Sequence, residues 1–492
     1  MQSERVVVIG SGPAGAMAAR ELVRGGLPVT MLESGTASPR GLLVRAGGRN
    51  VLRRGVEAET HDDDYVATGN PSTDWCYHLA PGGLTNQWTG AVPRFAPQDF
   101  HEGERLDERY VWPVTYDELA PFYDDAESLL QITGGAQDVP GLPGGRVDHT
   151  RRVPADWQNV RRAAAARGQG FAPMPYADGP RWLIARRGTA FNSFTRIVRP
   201  LAASGRFELR TGAHAVSIEW SGAQRRVVGV LYHDRARDHI ERIPATAVVV
   251  ACGALNSTKL LFGSACPDFP DGLGNTEGLL GQYLHDHPRE WWTFETETPL
   301  SRLAPASYLT RRPYDESAPL LASSWTVGNA SAHDKVLSFT PLKAGAFGVQ
   351  VFGTMIPTPK GYVRPSPVRQ DEFGAPQLEI CIDFDGETIT NMVEAREHFL
   401  SLMEEAGHRC RLNPVVPQLT PGRAVHYGGT ARMHRRRDHG VLDEWNRPFD
   451  IPNLVVSDSS CFTTNTEKNP TLTLMALSAR AARRLAHDLK DT

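Results

Sequence analysis

Apolar residues first gather at Val6-Val7-Val8-Ile9, a run with no polar position, as expected of a strand covered on both faces. Gly10, Gly12 and Gly15 follow, and a helical stretch from Ala14 to Val23 starts at once. A second run, Val29-Thr30-Met31-Leu32, ends at Glu33. Strand, glycine turn, helix and strand in this order predict a dinucleotide-binding unit. Gly10 permits the tight turn, Gly12 lets backbone approach a pyrophosphate, and Gly15 lets the helix pack against the strand. The helix N-terminus offers free N–H groups and positive dipole to phosphate. Glu33 is placed to accept hydrogen bonds from ribose hydroxyls.

Such a unit needs more strands than this, and later segments supply them. Residues 207–220 and 227–233 alternate like strands of a meander, and Ala247-Val248-Val249-Val250-Ala251-Cys252-Gly253 reads as another buried strand, followed by helical Ser257–Phe262. A strand at 454–456 and a helix from about Thr471 to Asp488 complete the same layer. Residues 101–199 and 291–410 have their own strand-like run, Gln377–Asp383, and helices Thr115–Leu130 and Ile389–Glu405. The expected fold class is α/β, with a discontinuous Rossmann-like cofactor domain from 1–100, 200–290 and 411–492. Residues 101–199 and 291–410 make an α+β substrate-binding domain on an antiparallel sheet.

A chain of 492 residues exceeds a single core. A net charge of −3 leaves no basic footprint for nucleic acid, and the short run Arg435-Arg436-Arg437 reads as a solvated loop. No apolar stretch is long enough to span a bilayer, and the N-terminus enters a core strand too soon for a signal peptide. The six cysteines (76, 252, 266, 381, 410, 461) form no CxxC pair. Together these features predict a cytoplasmic protein with free, structural thiols and no membrane partner.

The candidate chemistry lies near the C-terminus. His426 opens HYGGTARM, and Asn469 follows in KNPTLTLMALSARAA, with the strand 454–456 ending at Asp458 between them. A neutral imidazole suits removal of a hydroxyl proton, and an amide can hold the same oxygen. The residues alone also admit a satisfied core histidine and an asparagine N-cap before Pro470-Thr471.

Several motifs in order favour the first reading. VVVIGSGPAGAMAARELVRGGLPVTMLESG, PGGLTNQWTGAVPRF, WPVTYDELAPFYDDAESLL, AVVVACGALNSTKLLFGSA, GLLGQYLHDHP, HYGGTARM and NLVVSDSSCFTTNTEKNPTLTLMALSARAA resemble the glucose-methanol-choline (GMC) oxidoreductases over nearly the whole length. The pattern is most similar to pyranose oxidases and bacterial C-glycoside 3-oxidases, which share the His and Asn pair. The resemblance implies FAD as cofactor, His426 as base, Asn469 as the group orienting the alcohol oxygen, and hydride transfer to flavin N5. It implies cofactor contacts at Gly10, Gly12, Gly15, Glu33, Gly82, Gly83, Thr85, Asn86, Gln87, Ala215, Cys252, Asp458, Pro470 and Thr471. Gln87 stands where covalently flavinylated pyranose oxidases have histidine, so FAD is expected to be held non-covalently.

The expected reaction is oxidation of a secondary ring hydroxyl of a sugar or glycoside to a ketone, C3 first and C2 second. Oxygen or another acceptor takes the electrons, and a 3-keto glycoside is primed to lose its aglycone. Two alternatives remain: the large subunit of a membrane-linked sugar dehydrogenase, and a non-oxidative flavoprotein. His285-Asp286-His287 suggests a metal, but adjacent side chains in an extended segment point to opposite faces, so no metal site is expected; the resemblance places this loop near the cofactor. Trp291, Trp292 and Trp325 suit either a sugar pocket or packing between layers, and Asp62-Asp63-Asp64 reads as a solvated loop.

Overall fold

The computed structural model describes residues 5–36, 45–46, 49–50, 65–69, 75–86, 88–135, 139–177, 191–298, 300–301, 307–310, 320–328, 346–413 and 419–491. Gln87 and Asp62-Asp63-Asp64 lie outside them. Val6–Ile9 forms the middle of a parallel sheet because all four side chains are buried. The strand order is Leu454–Val456, Ala247–Val250, Val6–Ile9, Val29–Glu33, Phe207–Thr211, with every neighbouring pair parallel. Segments far apart in the chain thus line up beside the first strand.

One sequence expectation needs correcting here. Residues 207–220 are not one meander strand: the chain turns at Gly212, whose N–H bonds Gly35 O at 3.1 Å. Phe207–Thr211 joins the edge of the parallel sheet beside Val29–Glu33. Ala213–Ser221, Arg226–Asp234 and His239–Pro244 then make a separate antiparallel sheet.

The helix Pro13–Arg24 has proline in its first turn and buries Ala14, Ala16, Met17, Ala18, Ala19 and Leu22. Its small residues let the C-terminal helix Thr471–Asp491 pack closely, and Ser478 Oγ donates to Ala14 O at 2.7 Å. Helix Tyr116–Leu130 is started by a capping box, Thr115 with Glu118. It also packs on Thr471–Asp491, and its Leu119, Tyr123, Ala126 and Leu130 join the cofactor-side core. Trp157, Val160 and Ala164, from the same 101–199 segment, join the other core. Tyr65–Ala67 pairs in parallel with Pro376–Cys381, away from the cofactor sheet.

Among the described residues, the second large layer is a six-stranded antiparallel sheet. Its order is Cys410–Asn413, Arg289–Thr296, Ala346–Gly353, Ser323–Gly328, Ser307–Thr310, Phe171–Pro173. One face carries Trp292, Phe294, Val349, Val351, Trp325, Val327 and Leu309 against Met392, Ala395, Phe399 and Leu402 of helix Gly386–Glu405. Trp292 and Trp325 are both 0% exposed there, so they serve packing between layers and not a sugar surface. Strand alternation puts Arg289, Trp291, Gln350, Phe352, Ser324, Thr326, Tyr308 and Thr310 on the opposite, more polar face. That face looks toward the C-terminal segment bearing Asn469. Among the described residues no helix is long and apolar enough to cross a membrane.

Candidate active site

The glycine turn is shaped by what it excludes. A Cβ on Gly10 (φ +99°) would stand 2.3 Å from Ala251 O, and one on Gly15 would stand 2.0 Å from Gly10 O. Both positions therefore tolerate no side chain, and the helix start is drawn onto the strand end. A Cβ on Gly12 would meet nothing within 4 Å, and no side chain caps the helix there. Open space in front of uncapped N–H groups is what a pyrophosphate requires. Gly82 N–H donates to Ser11 Oγ at 2.9 Å, and a Cβ on Gly83 would touch Gly12 Cα at 3.4 Å. The 80–86 loop is thereby seated on the turn. Thr85 Oγ1 bonds Gly82 O at 2.6 Å and receives Ser193 N–H at 3.1 Å. Asn86 bonds the Asn192 amide and donates to Pro81 O at 3.3 Å.

Glu33 ends its strand buried. It accepts from Ser11 N–H at 3.1 Å, Ser11 Oγ at 2.5 Å and Gly35 N–H at 2.8 Å. Burial raises its pKa, and the carboxylate keeps acceptor capacity for a ribose hydroxyl. Asp458 accepts from Gly253 N–H at 3.1 Å, Ser257 Oγ at 2.5 Å and Ser460 N–H at 2.9 Å. It thus ties the turn after Ala247–Val250 to the C-terminal strand, and burial raises its pKa. Cys252 sits at that same turn, its thiol pushed up to about 12 by burial and so protonated. Ala215 lies on Ala213–Ser221 opposite Tyr232. Pro470 is buried before Thr471–Asp491 and its carbonyl accepts from Leu474 N–H at 2.9 Å, while Thr471 is the first helical residue. These features fit FAD: an open position at Gly12, an uncapped helix start and a buried acid at the end of the second strand.

His426 and Asn469, 43 positions apart, come together with Asn469 Nδ2 at 3.3 Å from His426 Nε2. The helix begins two residues after Asn469, at Thr471, and the asparagine amide turns to the imidazole and not to the helix end. The segment before it is clamped. Lys468 Nζ lies 2.9 Å from both Asp99 and Glu467 carboxylates, Tyr308 OH donates to Glu467 at 2.6 Å, and Ser324 Oγ donates to Glu467 O at 3.1 Å. The polar face of the antiparallel sheet thereby sets the height of Asn469.

His426 is held by two residues of the GLLGQYLHDHP motif, to which the sequence assigned a place near the cofactor but no role toward His426. Asp286, fully buried, accepts His426 N–H at 2.9 Å and Gly422 N–H at 3.0 Å. Burial pushes its pKa up to about 7 despite these bonds. His287 Nδ1 lies 2.7 Å from His426 Nδ1, and His287 Nε2 bonds Thr466 O. Phe352 packs on His426 with ring centroids 5.2 Å apart. Burial first, then His287 and Arg289, lower the His426 pKa well below its usual value, so the ring is neutral and can accept a proton. Arg289 Nη1 donates to Arg423 O at 2.9 Å, and its Nε and Nη2 reach the Gln350 amide oxygen at 2.7 Å when that amide faces them. His285 Nδ1 lies 3.1 Å from Tyr283 O, and burial lowers its pKa to about 3. His285, Asp286 and His287 are each engaged separately, as their alternation along an extended segment dictates. Among the described residues no group of three or more His, Cys, Asp or Glu could hold a metal ion.

Comparison with known proteins bears on the chemistry. GMC oxidoreductase family models match residues 94–289 and 357–478, and an FAD binding domain model matches 3–103. A 2-methyl-1,2-propanediol dehydrogenase from Mycolicibacterium austroafricanum is 26% identical, covering 99% of this chain and 96% of its own. A 6'''-hydroxyparomomycin C oxidase from Streptomyces lividus is 28% identical over 98% of this chain and 91% of its own. A C-glycoside 3-oxidase from Microbacterium trichothecenolyticum is 24% identical over 90% of this chain and 80% of its own. The crystal structure of pyridoxine 4-oxidase from Mesorbium loti superposes with a TM-score of 0.66 at 20% identity, covering 98% of this chain and 99% of that one. This last likeness concerns the fold alone.

Proposed function

This chain belongs to the GMC oxidoreductase family, an FAD enzyme acting on CH–OH groups, and we propose that it oxidises a secondary ring hydroxyl of a sugar or glycoside to a ketone. C3 is the preferred position and C2 the second. The observation that carries the reading is His426 Nε2 and Asn469 Nδ2 side by side at 3.3 Å, close enough for one alcohol oxygen beside them to bond both. His426 takes the hydroxyl proton, and Asn469 holds the oxygen and stabilises the developing alkoxide. FAD, when bound, supplies the acceptor for the hydride leaving the carbon. Gly10, Gly12, Gly15, Glu33 and the Gly82–Asn86 loop hold it, non-covalently on the reading of Gln87. Oxygen or another acceptor then takes the electrons. The glycoside assignment draws support from the relative named as a C-glycoside 3-oxidase.

The test is anaerobic mixing of the purified yellow protein with a panel of sugars and glycosides while the visible flavin band is followed. Bleaching by a glycoside, with a 3-keto product, supports the assignment, and admitting air shows whether oxygen accepts the electrons. A flavin that aliphatic diols bleach and no glycoside does overturns it.

A further inference from the structure

We propose that His287 is a positioning residue that fixes the tautomer of His426, so that the bare Nε2 faces the substrate oxygen. The inference rests on His426 being the base. Thr466 O can only accept a hydrogen bond, so His287 Nε2, which bonds it, carries the hydrogen. A neutral His287 then has a bare Nδ1. That atom lies 2.7 Å from His426 Nδ1, and two bare nitrogens at this distance would repel. His426 Nδ1 must therefore carry its hydrogen and donate it, which leaves Nε2 as the lone pair. Asn469 Nδ2, an obligate donor, stands 3.3 Å from that Nε2 and agrees with the assignment.

The environment keeps His287 neutral. The ring is 0% exposed, and burial lowers its pKa to about 4. It faces His426 and Phe352, with Asn465 bonded to it and the charges of Glu467 and Lys468 nearby. His285 lies two positions earlier, and Arg289 bears on His426 from the sheet. Among the described residues no carboxylate bonds either ring. Asp286, the nearest acid in sequence, grips the His426 backbone instead. A neutral imidazole relayed to a backbone carbonyl thus does the orienting that a carboxylate performs in a Ser-His-Asp triad.

The test pairs two variants of similar shape, His287→Asn and His287→Leu, purified with FAD and checked for flavin content and thermal melting. Asparagine keeps an acceptor for His426 Nδ1–H, and leucine does not. At saturating substrate, His287→Leu should slow anaerobic flavin reduction by about 10²- to 10⁴-fold with substrate affinity little changed. His287→Asn should stay within about tenfold of the parent. Equal loss in both variants, no loss in either, or a loss confined to affinity would overturn the proposal. Ring-¹⁵N-labelled parent holoenzyme decides the matter even if a variant fails to fold, with His426→Ala identifying the signals. An unprotonated Nε2 is expected for His426, and a protonated one contradicts the proposal. Full-rate flavin reduction by His426→Ala would instead remove the base reading itself, a separate failure.

Discussion

At the glycine turn, Gly10 and Gly15 admit no side chain because backbone carbonyls stand 2.3 and 2.0 Å from where a Cβ would be. The turn is made of backbone, mostly from residues 10–15, with Ala251 O closing it from the neighbouring strand. The His426 loop is the reverse. Its backbone is gripped by Asp286, its ring by His287, and its partner Asn469 by a segment clamped through Lys468, Asp99, Tyr308 and Ser324. Those groups come from both large layers. A backbone-built site tolerates almost no change at a few positions. A site built from side chains spreads its geometry over many residues, each adding a modest share.

The sharpest way to break this contrast is Gly15→Val. The added carbons collide with Gly10 O, which can move only if the strand end moves. Destabilisation above about 4 kcal/mol and loss of bound flavin are expected, read from yellow colour and thermal melting. A stable, yellow Gly15→Val protein would show that the turn has slack. Next in size is Phe399→Ala, in the apolar layer between the antiparallel sheet and helix Gly386–Glu405. A loss of about 3–5 kcal/mol is expected from the cavity, with flavin retained in the protein that stays folded. Flavin loss without a drop in melting temperature would mean that the two cores are not separable.

The smallest effect concerns Asp286. Its folded pKa of about 7 lies above its ordinary value of 3.8, so the folded state holds the proton more tightly. Its contribution to stability is fully present below about pH 4 and is lost as the pH rises through about 7. Asp286→Asn removes this titration and keeps an oxygen acceptor for the loop. Between pH 5 and pH 8 the parent should lose roughly 2 kcal/mol relative to the variant in urea unfolding. Parallel pH curves would show that the carboxyl is already ionised at pH 5.

How much could be read in the sequence follows from the same contrast. The unbroken run Val6–Ile9, the spaced glycines and Glu33 are local, so strand, turn, helix and cofactor cradle were legible together. The helices expected at Thr115–Leu130 and Ile389–Glu405 are found at Tyr116–Leu130 and Gly386–Glu405, but amphipathic periodicity reports that a face is buried and not against what. That is why residues 101–199 divide their packing between two cores, and why the break at Gly212, which parts Phe207–Thr211 of the parallel sheet from Ala213–Ser221 of the antiparallel one, is not legible in the alternation. Strand alternation could have put Trp292 on a face opposite Trp291, yet only the pairing with Val349 tells which face is apolar. At the site, HYGGTARM and KNPT marked His426 and Asn469, whereas GLLGQYLHDHP placed Asp286 and His287 near the cofactor without showing that they hold His426. Their contacts at 140 and 139 positions' separation carry no local signal.

The central claim is that His426 removes the hydroxyl proton, and anaerobic flavin reduction measured in the parent and in His426→Ala with one bleaching glycoside tests it most directly. The account predicts that the variant binds FAD normally and is reduced about 10²- to 10⁴-fold more slowly. A folded, yellow His426→Ala protein reduced at the parent's rate would contradict it.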